Sequence, residues 1–173
     1  MNCNRHWVRF ICTLGLLCSG LIRAEVIVDN PGRFTVDIPS PSKRSDSEPT
    51  DSQVGKTVLH LLTHESVDGK HAYILSYNDY DPAQKLDVAK SYEGIIQNVV
   101  SSMNGVIRSK AEHKLGDVAG WEYILDIEKE KLTARVRCYL VDHRLYQIMY
   151  LAGAGTESSP DTLHFLDSFH LLR

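Results

Sequence analysis

A chain of 173 residues, 43% hydrophobic and 24% charged, holds enough apolar material for one packed domain and is too short for several. Its net charge of −3 excludes the Lys/Arg surplus on which nucleic-acid binding and polybasic attachment to anionic membranes depend. No nucleic-acid partner is expected, and no integral membrane segment beyond the first two dozen residues.

Arg5 and Arg9 precede a mostly apolar run, Phe10–Ile22, and a small residue follows at Ala24. A basic start, a short apolar centre and a small exit residue mark a secretory signal peptide, and the run falls short of the roughly 20 residues a bilayer needs. Residues 1–24 are therefore expected to be a leader cut near Ala24, with a cut after Gly20 as the alternative. Residues 25–173 are then a single exported domain, periplasmic or extracellular. The leader holds Arg5, Arg9 and Arg23 and no acid, so the domain alone carries −6. Cys3, Cys12 and Cys18 leave with it. Cys138 remains alone, no intramolecular disulfide can form, and packing must hold the fold.

Glu25–Asp29 and Arg33–Ile38 read as short strands around Asn30-Pro31-Gly32, the second alternating Phe34, Val36 and Ile38 with polar residues. Residues 39–53, with three prolines and five serines, read as an exposed connection without helix or strand. Val54–Glu65 and His71–Tyr80 read as strands joined through Asp68-Gly69, a hairpin signal. From Leu86 to Met103 the period changes. Val88, Tyr92, Ile95, Ile96, Val99 and Met103 recur at spacings of three and four on one helix face, and Asn104-Gly105 ends it, with Gly suited to the left-handed cap. Val106–Lys114 reads as a polar edge strand. Ala119–Glu128 and Leu132–Asp142 form a hairpin through Lys129-Glu130, and Arg144–Ala152 returns after Asp142-His143. Ser159-Pro160-Asp161 starts a short helix to Ser168, before a last strand or tail at Phe169–Leu172.

A tight turn at Lys129-Glu130 fixes the register of that hairpin. Trp121, Tyr123, Leu125 and Ile127 then oppose Cys138, Val136, Ala134 and Leu132 on one apolar face, so the thiol is a small core hydrophobe and not a nucleophile. The other face carries Glu122, Ile124, Asp126, Thr133, Arg135, Arg137 and Tyr139, with Glu122 opposite Arg137 and Tyr146 and Tyr150 on the next strand. Two readings are open for it: a solvated, ion-paired sheet face, or an anion- or partner-binding surface made by Arg135, Arg137, Tyr139 and Tyr146.

The 54–80 hairpin places His60, His64 and His71 on one face with Tyr77 and Asp79. Imidazoles so placed are candidate zinc or copper ligands, and His60, His64, His71 and Asp79 are the candidate set. Against it, His60 and His64 lie about 13 Å apart along a strand rising roughly 3.3 Å per residue. No compact ligand motif, Gly-rich phosphate loop, nucleophile elbow or CxxC pair occurs.

Four stretches together resemble the PsbP-like group of secreted or lumenal domains: Gly32–Pro39, the helical Ala89–Asn98, Gly120-Trp121-Glu122-Tyr123, and Phe165–Leu172. The resemblance implies an α+β fold, with a twisted, mainly antiparallel sheet of about six or seven strands between helices. Its best-known members are extrinsic subunits of photosystem II that help retain calcium and chloride, which implies an accessory role without catalysis. No metal-binding motif of those members can be matched here. The expectation is thus a non-enzymatic exported domain with no cofactor, binding a protein partner or small ligand. The alternative is a small metal-dependent or hydrolytic enzyme using the histidines of residues 60–79, which requires two or more of them to converge on one point.

Overall fold

A computed structural model describes residues 24–47, 49–52, 55–83 and 87–172. The expected leader, apart from Ala24, lies outside these residues.

Ala24–Asp29 (β1) and Phe34–Pro39 (β2) form the expected first hairpin. Residues 39–53 depart from expectation, because Lys43–Asp46 (β3) and Thr50–Ser52 (β4) are both strands. All of β3 is solvent-exposed, so it carries no alternation to read; it forms because the edge of the next long strand offers its backbone partners. The prolines flank it rather than interrupt it. The expected strand Val54–Glu65 divides into Gly55–Thr57 (β5), paired with β4, and His60–Glu65 (β6). His71–Asp79 (β7) pairs with β6 in the expected register, His64 opposite Tyr73 and His60 opposite Tyr77.

Val88–Met103 (α1) follows, capped by the Asp87 side chain accepting from the Lys90 N–H. The expected start at Leu86 lies outside the described residues. The left-handed cap is Asn104 (φ 49°, ψ 40°) rather than Gly105, whose N–H instead donates to Val100 O at 3.0 Å. Val106–Leu115 (β8), Val118–Ile127 (β9), Leu132–Val141 (β10) and Arg144–Gly153 (β11) make an antiparallel meander in the expected register, with Trp121 opposite Cys138 and Arg137 opposite Glu122. Pro160–Asp167 (α2) is capped by Ser159, and His170–Leu171 (β12) ends the described chain.

Seven strands form one antiparallel sheet, β3-β6-β7-β11-β10-β9-β8. α1 covers one face through Tyr92, Ile95 and Ile96, against Tyr123, Leu125, Val136 and the fully buried Cys138. The opposite face is covered by a second, three-stranded sheet, β1-β2-β12, together with α2. Phe34, Val36 and Ile38 of β2, with Phe165, Leu166 and Phe169, press onto Tyr73, Leu75, Tyr139, Tyr146 and Ile148. Both faces of the large sheet are therefore core, and the face bearing Arg135 and Arg137 is not the solvated surface that its polar pattern allows. Among the described residues no helix is long and apolar enough to cross a membrane.

Candidate functional site

β10 aims Arg135, Arg137 and Tyr139 into the layer between the two sheets. Arg135 donates to Glu122 Oε1 at 2.6 Å, and Arg137 Nε to Glu122 Oε2 at 2.7 Å. Arg137 also reaches Asp167 on α2 at 2.7 Å, while Arg135 donates to the Glu157 carbonyl and Ser158 Oγ. The Arg137 side chain is 6% exposed and that of Arg135 15%. Burial alone would raise the Glu122 carboxyl, but hydrogen bonds from the two guanidiniums outweigh it and hold it below the usual carboxylate range. Tyr139 shares a 2.8 Å hydrogen bond with His113 Nδ1, and burial pushes its phenol up. Tyr146 donates to the Gly32 carbonyl at 2.7 Å and so ties the large sheet to the β1–β2 turn. Arg135, Arg137, Tyr139 and Tyr146 thus share one face, and each is already engaged from within the fold.

The histidine hairpin is dispersed among separate partners. His60 lies 2.8 Å from Asp46 of β3 and stacks on Tyr77, ring centroids 4.5 Å apart. His64 is buried, with Nδ1 3.0 Å from the Pro41 carbonyl. His71 stacks on Tyr150 and faces Asp68. Asp79 takes two 2.6 Å hydrogen bonds from Arg144, which hold its carboxyl below the ordinary value. Among the described residues no three His, Cys, Asp or Glu side chains are grouped to hold a metal ion. The convergence that the enzyme reading requires is not what these contacts display.

One of these residues does enter a concavity. Where the end of β1 faces β3 and β6, an open cleft of about 470 Å³ is lined by Asp29, Arg44, Asp46, His60, Leu62 and Tyr77, among others. Asp29 is buried; it accepts from the Gly32 N–H at 2.6 Å and pairs with Arg44 across the cleft. An apolar floor under a rim of fixed charges suits an orienting contact. Of this lining, sequence reading offered His60 alone as a site residue, with Tyr77 on the same face: Arg44 and Asp46 lie in the stretch read as strandless, and Asp29 read as the end of a strand. A second cleft, about 400 Å³, is lined by Asp37, His164, Asp167 and His170, with His164 3.1 Å from Asp37. Also unforeseen is Arg108, at a bulge in β8, which holds Asp126, Glu157 and Thr133 together. No periodicity marks it, since the bulge breaks the alternation that would give its direction.

An antiparallel sheet clad by one helix on one side, and by a small sheet with a second helix on the other, defines a PsbP-like α+β sandwich. The solution structure of cyanobacterial PsbP (CyanoP) from Synechocystis sp. PCC 6803 is similar over 91% of this chain and 98% of its own, with a TM-score of 0.60 at 9% sequence identity. That likeness shows the fold. No protein-family model matches the chain, and no curated protein matches it.

Proposed function

We propose that this chain is an exported accessory domain that binds a protein partner or small ligand and catalyses no reaction on it. The observation that carries this reading is the neutralisation of its candidate groups. Glu122 is shared by Arg135 and Arg137, and Asp79 is clamped by Arg144. Side chains fixed in ion pairs serve recognition and rigidity better than proton transfer, which needs a group free to exchange its proton with a substrate. The PsbP-like architecture supports an accessory role by analogy of fold. The basic start, apolar run and small exit residue of positions 5–24 support export. The cleft by His60 and Arg44 is the place of contact.

The test is an affinity capture from the envelope fraction with the chain as bait, run beside Arg44→Glu and His60→Ala variants. The reading expects one component held by the wild type and released by both variants. Turnover of ester, phosphoester or peptide substrates that His60→Ala abolishes would sink it. Amino-terminal sequencing of the protein recovered from cells checks export: it expects a first residue close to position 25, and an intact Met1 overturns that part.

A further inference from the structure

Two exposed strand edges differ in kind. β8 ends the large sheet and is defended: it bulges between Ile107 and Ser109, and Lys110, Glu112 and Lys114 stud its exposed length. β1 ends the small sheet with no bulge and no cation, its only charges being Glu25 and Asp29 toward its two ends. Val26-Ile27-Val28 contains no lysine, arginine, proline or bulge and pairs with β2 in an unbroken register. Val26 is 65% and Val28 57% exposed. Among the described residues no strand pairs with the other edge of β1.

We infer that β1 pairs antiparallel with β1 of a second copy of this chain, joining two three-stranded sheets into one of six strands. The strand is self-complementary about Ile27. Pairing there sets Val26 of each copy opposite Val28 of the other on the outward face, and Ile27 against Ile27 on the inward face. The same register brings Glu25 of each copy opposite Asp29 of the other, on the inward side. Asp29 is already paired with Arg44, whose side chain remains 54% exposed. Glu25 of the second copy therefore enters the cleft by β3 and meets the exposed flank of Arg44, twice over by symmetry. Arg44 then bridges Asp29 of its own copy and Glu25 of the other, as Arg108 bridges Asp126 and Glu157 within the fold, which offsets the two carboxylates that this register sets opposite each other. That sharing selects a second copy over an unrelated strand, and the two-fold closes the assembly at a dimer. The cleft then acquires a residue that only the other copy supplies.

Sedimentation equilibrium of the purified chain, from micromolar to millimolar concentration, tests this. A monomer–dimer equilibrium is expected. Val26→Lys with Val28→Lys, both outward and exposed, is expected to raise the dissociation constant at least about tenfold, while the melting temperature measured at concentrations low enough for both proteins to be monomeric stays unchanged. Glu25→Arg and Arg44→Glu each weaken the dimer alone, and mixing those two variants restores association, because each supplies the charge that the other lacks. A wild type that stays monomeric at millimolar concentration overturns the inference. So does a dimer indifferent to the two lysines, or a monomer whose β1 is occupied by a strand of a different protein.

Discussion

At Gly120 the strand has no room for a side chain: a Cβ there would run into the Cys138 carbonyl oxygen and the Tyr139 ring. Both are fixed within β10, so Gly120→Ala is expected to cost about 1–3 kcal/mol, read from the urea midpoint. Its neighbour Cys138 is fully buried, and burial pushes the thiol up to about 12. Alkylation by iodoacetamide should therefore be limited by opening of the fold, and rapid labelling of native protein would contradict the packing described above. His113 sets the acid behaviour. Burial first, and then the charge of Arg137, lower its pKa below 6.5. Both states hold the neutral ring at higher pH. As pH falls through 6.5 the unfolded chain takes the proton first, so stability declines until the folded pKa is also passed. Asp79 and Glu122 run later: their folded pKa values lie below 3.8 and 4.5, so their contribution is present above those values and lost beneath them. Denaturation midpoints measured against pH should fall in two stages, and His113→Gln should remove the first alone.

Between elements, a few polar contacts fix what apolar packing leaves free to slide. Tyr92 on α1 donates to the Ala119 carbonyl at 2.7 Å and accepts from the Leu140 N–H at 2.8 Å, pinning the helix across β9 and β10. Tyr92→Phe strands both backbone groups and should cost about 1–3 kcal/mol. Arg137 joins β9, β10 and α2, and Arg137→Ala leaves the half-buried Glu122 with Arg135 alone, at a cost of about 1–3 kcal/mol in the same unfolding assay. The Asp167 arm should contribute less, because that carboxylate is 64% exposed. The elements that sequence made legible are those with a period and a punctuated end. α1, the β6–β7 hairpin and the β9–β10 register follow from apolar spacing and turn residues. β3 stayed hidden because a fully exposed edge strand has no alternation. The three-stranded sheet stayed hidden for a related reason: Glu122, Arg135 and Arg137 look like a wet surface until α2 and the turn before it are seen to engage the two arginines. The site was less legible than the fold, because the partners of His60 and Asp29 come from β3, whose existence no local pattern announced.

For the molecule as a whole, the arrangement of edges decides how it meets its neighbours. A seven-stranded sheet has two open sides, and nothing in its hydrogen bonding stops another sheet from adding there. β3 closes one side with four exposed residues, two of them the cations Lys43 and Arg44. β8 is ten residues long and would be the greater hazard. Its solubility rests on Lys110 and Lys114, which point to the same side of the strand, Lys110 lying 4.2 Å from the centre of the Trp121 ring. Docking a second β8 would bring four ammonium groups, only partly offset by the two Glu112 carboxylates between them, onto one short seam and strip them of water, which opposes association. Replacing both lysines by valine removes the repulsion and raises strand propensity together. Lys110→Val with Lys114→Val should fold with an unchanged far-ultraviolet spectrum and then self-associate, seen as light scattering that grows with time and concentration. Lys90→Val on the exposed face of α1 removes a charge without freeing an edge, and should scatter no more than wild type. If the two variants scattered alike, net charge rather than strand guarding would be what keeps the chain dispersed.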